Sequence, residues 1–424
     1  MKPSSGNDRD QASSTRSGPQ PGSIFVTTQD GLDDAVAAAR AEGTVGFDTE
    51  FLREKTYRAK LCLVQMAVGD AIYVVDVLEP LDLKGLADLV GDPDVRVILH
   101  AGRQDLELFY EGWGVVPSNV YDVQLAAGFA GHGASLPYGR LVETLCGKRL
   151  NKGESYTDWC RRPLTEAQLT YAADDVRYLA QAARRLDAEL QRLGRREWVV
   201  QEMKALESED VYRTDPGEAW RKVGGRGSLS PKGLAVLREV ARWREETAQR
   251  RDIPRGWVVK DPTMIEIARR APSSAQALKS IRGFNASEAD RSGRDILAAI
   301  DAGRDGPSIN LGAAPPKAAQ ARARMLSGLA DAVVRARCEQ AGLATELVST
   351  RSELENLLAE VVSGTVDEGR HRLLQGWRRE LAGDAVVALA EGRIAVKAIP
   401  KPPYVEELAL EGRIGSAIRP DEKG

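Results

Sequence analysis

Two carboxylates placed two positions apart are the first residues in this chain that could do chemistry. Asp48 and Glu50 lie at i and i+2 of a strand-like run, so both project from one face of a sheet. Crowded carboxylates repel one another unless a cation lies between them. Two acids on a solvated strand face are the ordinary alternative. The apolar residues Val45, Phe47 and Phe51 instead predict a core strand that carries the acids at its end.

A third acid, Asp105, follows the apolar strand-like segment that runs from Val95 to His100. The intervening turn places it at the start of a predicted helix, where a carboxylate can reach over the end of the sheet. An acid that only complements the positive end of a helix dipole is the simpler alternative.

A tyrosine and an aspartate, Tyr171 and Asp175, complete the set at i and i+4 of a predicted helix. That spacing places both on one helix face, and the small residues Ala172 and Ala173 between them allow close packing. Asp174 points about 100° away from Asp175, so we predict that it is peripheral. An ordinary surface pair is the alternative.

The types of residue available limit which metal could bind. The three histidines are dispersed, and the four cysteines include no C-x-x-C pair, which argues against a zinc knuckle, a redox motif or a disulfide framework. We therefore expect free thiols in a reducing compartment, and oxygen ligands for any metal. The residues concerned are His100, His132, His371, Cys62, Cys146, Cys160 and Cys338.

The elements that must position these acids alternate between strand and helix signals. Apolar runs of strand length, one hairpin turn at Gly69-Asp70 and amphipathic segments between the runs predict an α/β domain with a mixed sheet flanked by helices. The predicted strands are 24–26, 45–51, 61–68, 72–77 and 95–100, and the predicted helices are 32–41, 83–90, 102–110, 136–145 and 165–193, with a further short helix that Asp122 is placed to cap.

The rest of the chain has a helical pattern, which predicts an α/β domain followed by two all-α domains. At roughly 100–200 residues per domain, 424 residues suggest two to four domains. We predict a disordered arm at 1–23, the α/β domain at 24–210, helical domains at 227–305 and 317–397 joined by a linker at 306–316, and a tail at 398–424.

Charge is segregated between these regions. The net charge is −3, but residues 21–200 hold 20 Lys and Arg against 27 Asp and Glu, whereas residues 221–300 hold 17 against 9. An acidic module followed by a basic one suits a metal-dependent nuclease with a separate phosphate-binding domain. Solvated helix faces of opposite sign are the alternative. The hydrophobic fraction of 42% and the lack of a long apolar run predict a soluble, cytoplasmic protein without a membrane span.

The combination of motifs resembles the tyrosine-bearing subclass of the DEDD exonuclease superfamily, and most closely its ribonuclease D family. The resemblance covers about residues 24–193. Besides the acids, it rests on the segments Asp48-Thr49-Glu50-Phe51, Leu61-Cys62-Leu63-Val64-Gln65, His100-Ala101, Asp158-Trp159 and Arg162-Pro163-Leu164-Thr165, together with Tyr57.

The helical remainder resembles HRDC domains, which are small helical nucleic-acid-binding modules. The first copy is indicated by Trp243-Arg244-Glu245, Asp261 and Ile281-Arg282-Gly283. Residues 317–397, with Leu373-Leu374-Gln375-Gly376-Trp377-Arg378, are similar to the second, diverged copy that the family carries.

The resemblance implies a ribonuclease H-like fold and a 3'-5' exoribonuclease that releases 5'-nucleotides by a two-metal mechanism with Mg²⁺ or Mn²⁺. Asp48 would bridge both ions, Glu50 and Asp175 would serve the nucleophile side, and Asp105 would help to hold the other ion through waters. Tyr171 would orient the attacking water. RNA is the implied partner, with structured 3' ends such as tRNA precursors as the leading class, and the expected state is a monomer.

Further residues are candidates for substrate contact. An aromatic wedge could stack on a terminal base, contact with a ribose 2'-OH could distinguish RNA from DNA, and arginines could contact phosphate; core aromatics and a solvated loop are the alternatives. The candidates are Phe51, Tyr57 and Trp159 for stacking, His100 and Gln104 for the ribose, and Arg161 and Arg162 for phosphate.

Two other functions fit the same sequence. A 3'-5' DNA exonuclease would use the same acids, and a comparison of ribo- and deoxyribo-oligomers would separate the two activities. A non-catalytic RNA-binding scaffold would have lost at least one carboxylate, whereas all four are present.

Overall fold

The computed structural model describes residues 23–150, 157–310 and 315–410. The α/β part consists of strands β1 (Ser23–Val26), β2 (Thr44–Leu52), β3 (Lys60–Val68), β4 (Ala71–Val75), β5 (Arg96–Leu99) and β6 (Val120–Asp122), and of helices α1 (Gln29–Glu42), α2 (Lys84–Val90), α3 (Arg103–Trp113), α4 (Val123–Ala130), α5 (Tyr138–Cys146), α6 (Glu166–Arg177), α7 (Leu179–Leu193) and α8 (Arg196–Leu206). We call residues 23–206 the catalytic module.

The sheet of the catalytic module is mixed, with strand order β1-β4-β3-β2-β5-β6. β2, β3 and β4 pair antiparallel, while β1 pairs parallel with β4, and β5 lies parallel to both β2 and β6. This arrangement confirms the predicted α/β fold with a mixed sheet. The short edge strand β6 was missed, because three residues are too few to show an alternating pattern.

Two hydrophobic cores cover the two faces of this sheet. One face packs against α1, α2 and α3, with Leu32, Leu86 and Phe109 fully buried. The other face packs against α4 to α7, and this second core continues into the C-terminal helices, where it includes Trp377. The predicted long helix at 165–193 is divided into α6 and α7 at Tyr178, and Thr165 opens α6 with a capping box to Gln168.

A compact group of helices follows a linker that contains 3₁₀ turns at Glu209–Val211, Pro216–Lys222 and Arg226–Ser228. The helices are α9 (Pro231–Arg251), α10 (Arg255–Val258), α11 (Asp261–Arg270), α12 (Ala275–Lys279) and α13 (Ala286–Asp305). They enclose a core of their own that contains Trp220, Leu237 and Ile267. We call residues 231–305 the helical module.

The C-terminal part packs directly on the catalytic module. Its elements are α14 (Lys317–Ala341), α15 (Thr345–Val348), α16 (Arg351–Ser363), α17 (Gly376–Arg378), a π-helical turn (Arg379–Gly383), α18 (Asp384–Ala390), β7 (Ile394–Ala398) and β8 (Val405–Ala409). The Trp377 indole N–H and the Arg378 guanidinium donate to the Glu202 carboxylate on α8, at 2.9 Å and at 2.5 and 2.8 Å. Trp377 and Arg378, which belong to the motif that suggested a second HRDC-like copy, therefore form the contact with α8.

Three predictions, on the two chain ends and on membrane spans, can be compared with these elements. The tail predicted from residue 398 is partly a β-hairpin, which Arg337 on α14 contacts through Glu407 at 2.7 and 2.8 Å. The predicted disordered arm, apart from Ser23, lies outside the described residues. Among the helices that are described, none is long and apolar enough to cross a membrane.

The prediction of four free thiols was wrong. Cys62 on β3 and Cys160 form a disulfide with their Cα atoms 5.2 Å apart, while Cys146 and Cys338 are free. The two half-cystines are separated by 98 positions and are brought together only because the segment before α6 folds back over β3. No local spacing rule could have revealed that pairing.

Candidate active site

Strand β2 presents the first two acids beside an irregularity in its pairing with β3. Glu50 pairs with Leu63 and Phe51 pairs with Leu61, which leaves Cys62 as an extra residue in a β-bulge next to Glu50. A bulge bends the strand and re-aims the neighbouring side chains. The end of β2 is therefore shaped locally by its partner strand.

Gly46 allows the helix that carries the remaining motif to approach β2 closely. A Cβ atom at this position would lie 3.2 Å from both Leu179 Cβ and the Val176 carbonyl oxygen. Gly46, Asp48 and Glu50 share one strand face because they are spaced by two. The junction of α6 and α7 therefore packs on the face from which both acids project.

Three carboxylates converge at this contact. Ligand oxygens of Asp48, Glu50 and Asp175 lie within 4.8 Å of one another, and all three residues are half-buried. They come from β2 and α6, which are separated by more than a hundred residues in the chain. The convergence of these three predicted acids places a concentrated negative charge in a site with little solvent.

Burial and mutual repulsion alter the acidity of this cluster. Burial, followed by the charges of Asp105, Asp175 and Glu50, holds the pKa of Asp48 well above its ordinary value. Burial together with the neighbouring acids raises the pKa of Glu50 to about 8, and burial raises the pKa of Asp175 to about 7. Each carboxylate is thus short of a compensating positive charge, which a bound cation would provide.

Asp105 lies close to the cluster but is not part of the three-carboxylate group. It is buried in the first turn of α3, and its Oδ1 accepts a hydrogen bond from the Thr49 hydroxyl. Burial raises the pKa of Asp105 to about 6, and the Thr49 hydrogen bond opposes that rise. Asp105 therefore lies beside the three-carboxylate group, where its charge contributes to the raised pKa of Asp48, and its membership of the metal site stays a prediction.

Tyr171 lies one turn before Asp175 on α6, and its hydroxyl donates a hydrogen bond to the Asp175 carboxylate. This hydrogen bond lowers the pKa of Asp175 and so opposes the rise that burial causes. The indole ring of Trp159 lies 5.9 Å from the Tyr171 ring. The adjacent Asp174 forms an ion pair with Arg177 at 2.9 Å, so its predicted peripheral role agrees with its position.

Two further residues shape the site and were not among the predicted site residues. Asp122, predicted only as a helix cap, does cap α4, but it also accepts from the backbone N–H groups of Ala101 and Gly102 at 3.0 and 3.1 Å. It therefore holds the turn that leads to Asp105. Tyr138 accepts a 3.3 Å hydrogen bond from the Tyr178 N–H, and its pKa is raised by burial and by the charges of Asp175 and Asp48.

The residues predicted to contact a base or a ribose differ in how exposed they are. Trp159 is 3% exposed, so it belongs to the core and cannot stack on a base; Phe51 is half-buried and packs against the core beneath the sheet. Half-buried His100 donates from Nε2 to the Leu136 carbonyl at 2.9 Å, and burial lowers its pKa. Gln104 is exposed at the start of α3.

The two predicted phosphate-binding arginines have different environments. The Arg162 guanidinium is saturated by Asp76 and by the backbone carbonyls of Cys62, Trp159 and Arg161. Its assignment to phosphate was wrong, because a side chain that clamps a loop to β3 has no donors left for substrate. The Arg161 side chain is exposed, so a phosphate contact there stays a prediction.

The ligand chemistry of the cluster fits a hard divalent cation. All of its donors are carboxylate oxygens, which Mg²⁺ and Mn²⁺ accept and which a soft metal would not select. Among the described residues, no Lys or Arg contributes to lowering the raised pKa values of Glu50 and Asp175.

Comparisons with known proteins agree with this site. A family model described as a 3'-5' exonuclease matches residues 23–191, and the HRDC domain model matches residues 233–300. Ribonuclease D of Gluconacetobacter diazotrophicus is 39% identical over 381 residues, covering 88% of this chain and 94% of the relative. Ribonuclease D of Nitrobacter hamburgensis is also 39% identical, with 88% and 96% covered.

A solved structure extends the similarity to three dimensions. The crystal structure of Escherichia coli RNase D, described as an exoribonuclease involved in structured RNA processing, matches with a TM-score of 0.75 and 30% identity. The match covers 87% of this chain and 98% of that chain. The similarity therefore includes the helical parts as well as the sheet.

Proposed function

The chain belongs to the ribonuclease D family of 3'-5' exoribonucleases, and we propose that it trims structured RNA, with tRNA precursors as the main class, by a two-metal mechanism. The observation that carries the proposal is the convergence of Asp48, Glu50 and Asp175 within 4.8 Å. Burial and mutual repulsion raise the pKa values of these carboxylates, and a bound cation would offset the repulsion between their ionised forms.

We assign the metal-binding roles from this geometry and from the family resemblance. By the family resemblance, Asp48 would contribute to holding both ions, Glu50 and Asp175 would hold the ion nearer the attacking water, and Asp105, which lies beside the cluster, would help to hold the other. Bound ions of this type generate the nucleophile and neutralise charge on the phosphate and the leaving oxygen.

Tyr171 orients the attacking water in this proposal. A phenol with a pKa near ~10 is a weak base at neutral pH, and the Tyr171 hydroxyl is already held by Asp175. Its role is therefore to fix the water at the Asp175 side of the cluster. Hydrolysis at the 3' end would then release 5'-nucleotides one at a time.

RNA contacts outside the cluster are assigned to exposed side chains. Gln104, which precedes Asp105 in the chain, and Arg161 are both exposed, and His100 precedes the turn that bears Asp105. In the helical module, Trp257 is 62% exposed between the cations Arg255 and Lys260. An exposed aromatic ring among cations suits stacking and phosphate contact with single-stranded RNA.

A 3'-extended tRNA transcript tests the proposal. With Mg²⁺ the monomeric protein, which we place in the cytoplasm, should shorten the extension stepwise from the 3' end, and a chelator should stop the reaction. The same extension made of deoxynucleotides should be cut far more slowly. Equal rates on both extensions would favour a DNA exonuclease, and an unchanged rate with the chelator would contradict the metal mechanism.

A further inference from the structure

The loop that joins β2 to β3, residues 53–59, is held by the helical module. Tyr57 belongs to the catalytic module by sequence, yet its ring packs against the core of the helical module. Its hydroxyl donates to Glu245 Oε1, and Gln249 Nε2 donates to the Tyr57 oxygen at 3.1 Å. The hydrogen-bond partners of this catalytic-module side chain therefore lie on α9 of the helical module.

Asp252, which ends α9, binds the backbone of the same loop. Its Oδ1 accepts hydrogen bonds from the N–H groups of Tyr57 at 3.1 Å and Arg58 at 3.0 Å. Its backbone has a φ of +47°, a conformation that Asp, Asn and Gly adopt more readily than other residues. A negative side chain at a helix C-terminus is unfavourable for the helix itself, so its carboxylate serves the loop and not the helix.

The buried carboxylate of Glu245 depends on Tyr57 and Arg255 as its partners. Its side chain is fully buried, with Oε1 bound by Tyr57 and Oε2 at 3.4 Å from Arg255 Nε. The Arg255 guanidinium also lies 5.5 Å from the centre of the Tyr57 ring. Loss of a partner from a buried carboxylate is far more costly than loss of an exposed ion pair. Movement of the loop would take the Tyr57 hydroxyl away from Glu245, so this cost favours one position of the loop.

The same loop begins three residues after Glu50. Only the pairs Phe51 with Leu61 and Leu52 with Lys60 separate it from the bulge at Glu50. A shift of the loop would thus be transmitted to the end of the strand that carries the metal-binding acids.

We propose that Tyr57 and Asp252 are positioning residues through which the helical module holds the β2–β3 hairpin in the shape that places Glu50 against Asp48 and Asp175. This inference rests on the proposed function, because it gives the helical module a part in assembling the metal site in addition to binding RNA. Proximity effects make such positioning important: a displacement of about 1 Å at a reacting group can cost about 100-fold in rate.

The test compares two variants at one position in the full-length protein. Asp252→Asn keeps both the left-handed backbone and the acceptor oxygen, whereas Asp252→Gly keeps only the backbone. The measurements are kcat and KM on a ribodinucleotide, which fills only the space at the acids, and the Kd of Mn²⁺ alone, measured by electron paramagnetic resonance.

We expect Asp252→Gly to lower kcat about tenfold and to weaken Mn²⁺ binding severalfold, with KM changed by less than about twofold. Asp252→Asn should match the wild type. Because glycine suits a helix C-terminus, the thermal melt of Asp252→Gly should not fall, which separates positioning from a loss of fold.

Tyr57→Phe provides a second, independent variant. It removes only the hydroxyl that Glu245 accepts from, and we expect the same loss of kcat and Mn²⁺ affinity, partly restored by adding Glu245→Gln, which removes the buried charge left without its donor. Tyr110→Phe is the matched control, because it deletes a Tyr to Glu hydrogen bond of 2.9 Å that joins α3 to Glu209 and involves no residue of the helical module.

The outcomes separate the positioning role of Tyr57 and Asp252 from the proposed function. If the wild type binds Mn²⁺ and cleaves, but Asp252→Gly equals Asp252→Asn and Tyr57→Phe equals Tyr110→Phe in both measurements, the positioning role is overturned and the proposed function stands. If the wild type neither binds Mn²⁺ nor cleaves RNA, the proposed function is overturned together with this inference.

Discussion

Arg162 and Asp76 form a bidentate ion pair in which Arg162 Nε and Nη2 donate to the two carboxylate oxygens, each at 2.5 Å. Asp76 follows β4 and its side chain is 3% exposed, so the pair ties the segment before α6 to the sheet. The same guanidinium also donates to three backbone carbonyls. Arg162 is thus a structural clamp on the loop that leads to Tyr171 and Asp175.

Replacement of Arg162 by Gln should therefore destabilise the protein strongly. The change leaves the buried Asp76 carboxylate without its charge partner, and we expect the free energy of unfolding to fall by about 3–5 kcal/mol. Urea denaturation provides the measurement. Arg161→Gln, a change in the exposed neighbour, should alter the free energy by less than about 0.5 kcal/mol. Equal effects of the two variants would argue against the clamp.

Addition of a methyl group at Gly46 should separate the two elements that form the cluster. In Gly46→Ala the new Cβ would lie 3.2 Å from both Leu179 Cβ and the Val176 carbonyl, so α6 and α7 must move by a few tenths of an ångström. Overpacking of this kind costs about 1–3 kcal/mol, and we expect weaker Mn²⁺ binding as well.

Gly85→Ala is the control for Gly46→Ala. Gly85 lies in α2, and a Cβ added there meets no atom within 4 Å. Since alanine is favoured over glycine inside a helix by about 1 kcal/mol, this variant should keep or raise the melting temperature. A Gly46→Ala protein with wild-type melting and Mn²⁺ affinity would contradict the close-packing argument.

The disulfide should contribute to stability only under oxidising conditions. Cys62 and Cys160 close a long loop, and such a cross-link stabilises by about 2–5 kcal/mol, mainly by restricting the unfolded chain. Cys160→Ser should therefore lower the free energy of unfolding in buffer without reductant, and the difference from the wild type should shrink once dithiothreitol is added. Cys146→Ser, at a free thiol, should show no such dependence. Identical melts for Cys160→Ser and the wild type without reductant would count against the bond.

Stability of the metal-free protein should depend on pH in a direction set by the acid cluster. The pKa of Glu50 is raised to about 8, that of Asp175 to about 7 and that of Asp105 to about 6, so the folded state holds protons that the unfolded state releases near pH 4. Stability is then lost as pH rises from about 4 to 8, because the unfolded state binds fewer protons there.

Thermal melts across that range, with and without Mg²⁺, measure the effect. Mg²⁺ should raise the melting temperature more at pH 8 than at pH 6, because it binds the ionised carboxylates. A Glu50→Gln variant should have a smaller pH slope than the wild type. A slope that is unchanged by this substitution would show that other groups cause it.

The sequence predicted the catalytic chemistry better than its exact placement. Asp48, Glu50 and Asp175 were predictable because spacings of two in a strand and four in a helix fix the direction of side chains. The hydrogen bond from Thr49 to Asp105 was not predictable, since it joins residues 56 positions apart across the end of the sheet.

Other features depended on contacts that no local pattern reveals. Trp159 resembles an exposed wedge in sequence but is buried beside Tyr171, because its loop is fastened by Arg162. Asp122 was predicted as a helix cap, and that cap is confirmed. Its second contact, with the turn before Asp105, required knowledge of how β5 and β6 pair.

The central claim is that Asp175 and Asp105 belong to one metal site with Asp48 and Glu50, and isosteric Asp to Asn substitutions on α3 and α6 test it most directly. Asp175→Asn, Asp105→Asn and Asp174→Asn would be assayed for Mg²⁺-dependent shortening of a 3'-hydroxyl RNA, with thermal melts to confirm folding. A single metal site predicts losses of about a thousandfold or more for the first two variants, and a rate within severalfold of wild type for Asp174→Asn, whose carboxylate is paired with Arg177. Undiminished shortening by folded Asp175→Asn or Asp105→Asn would contradict it.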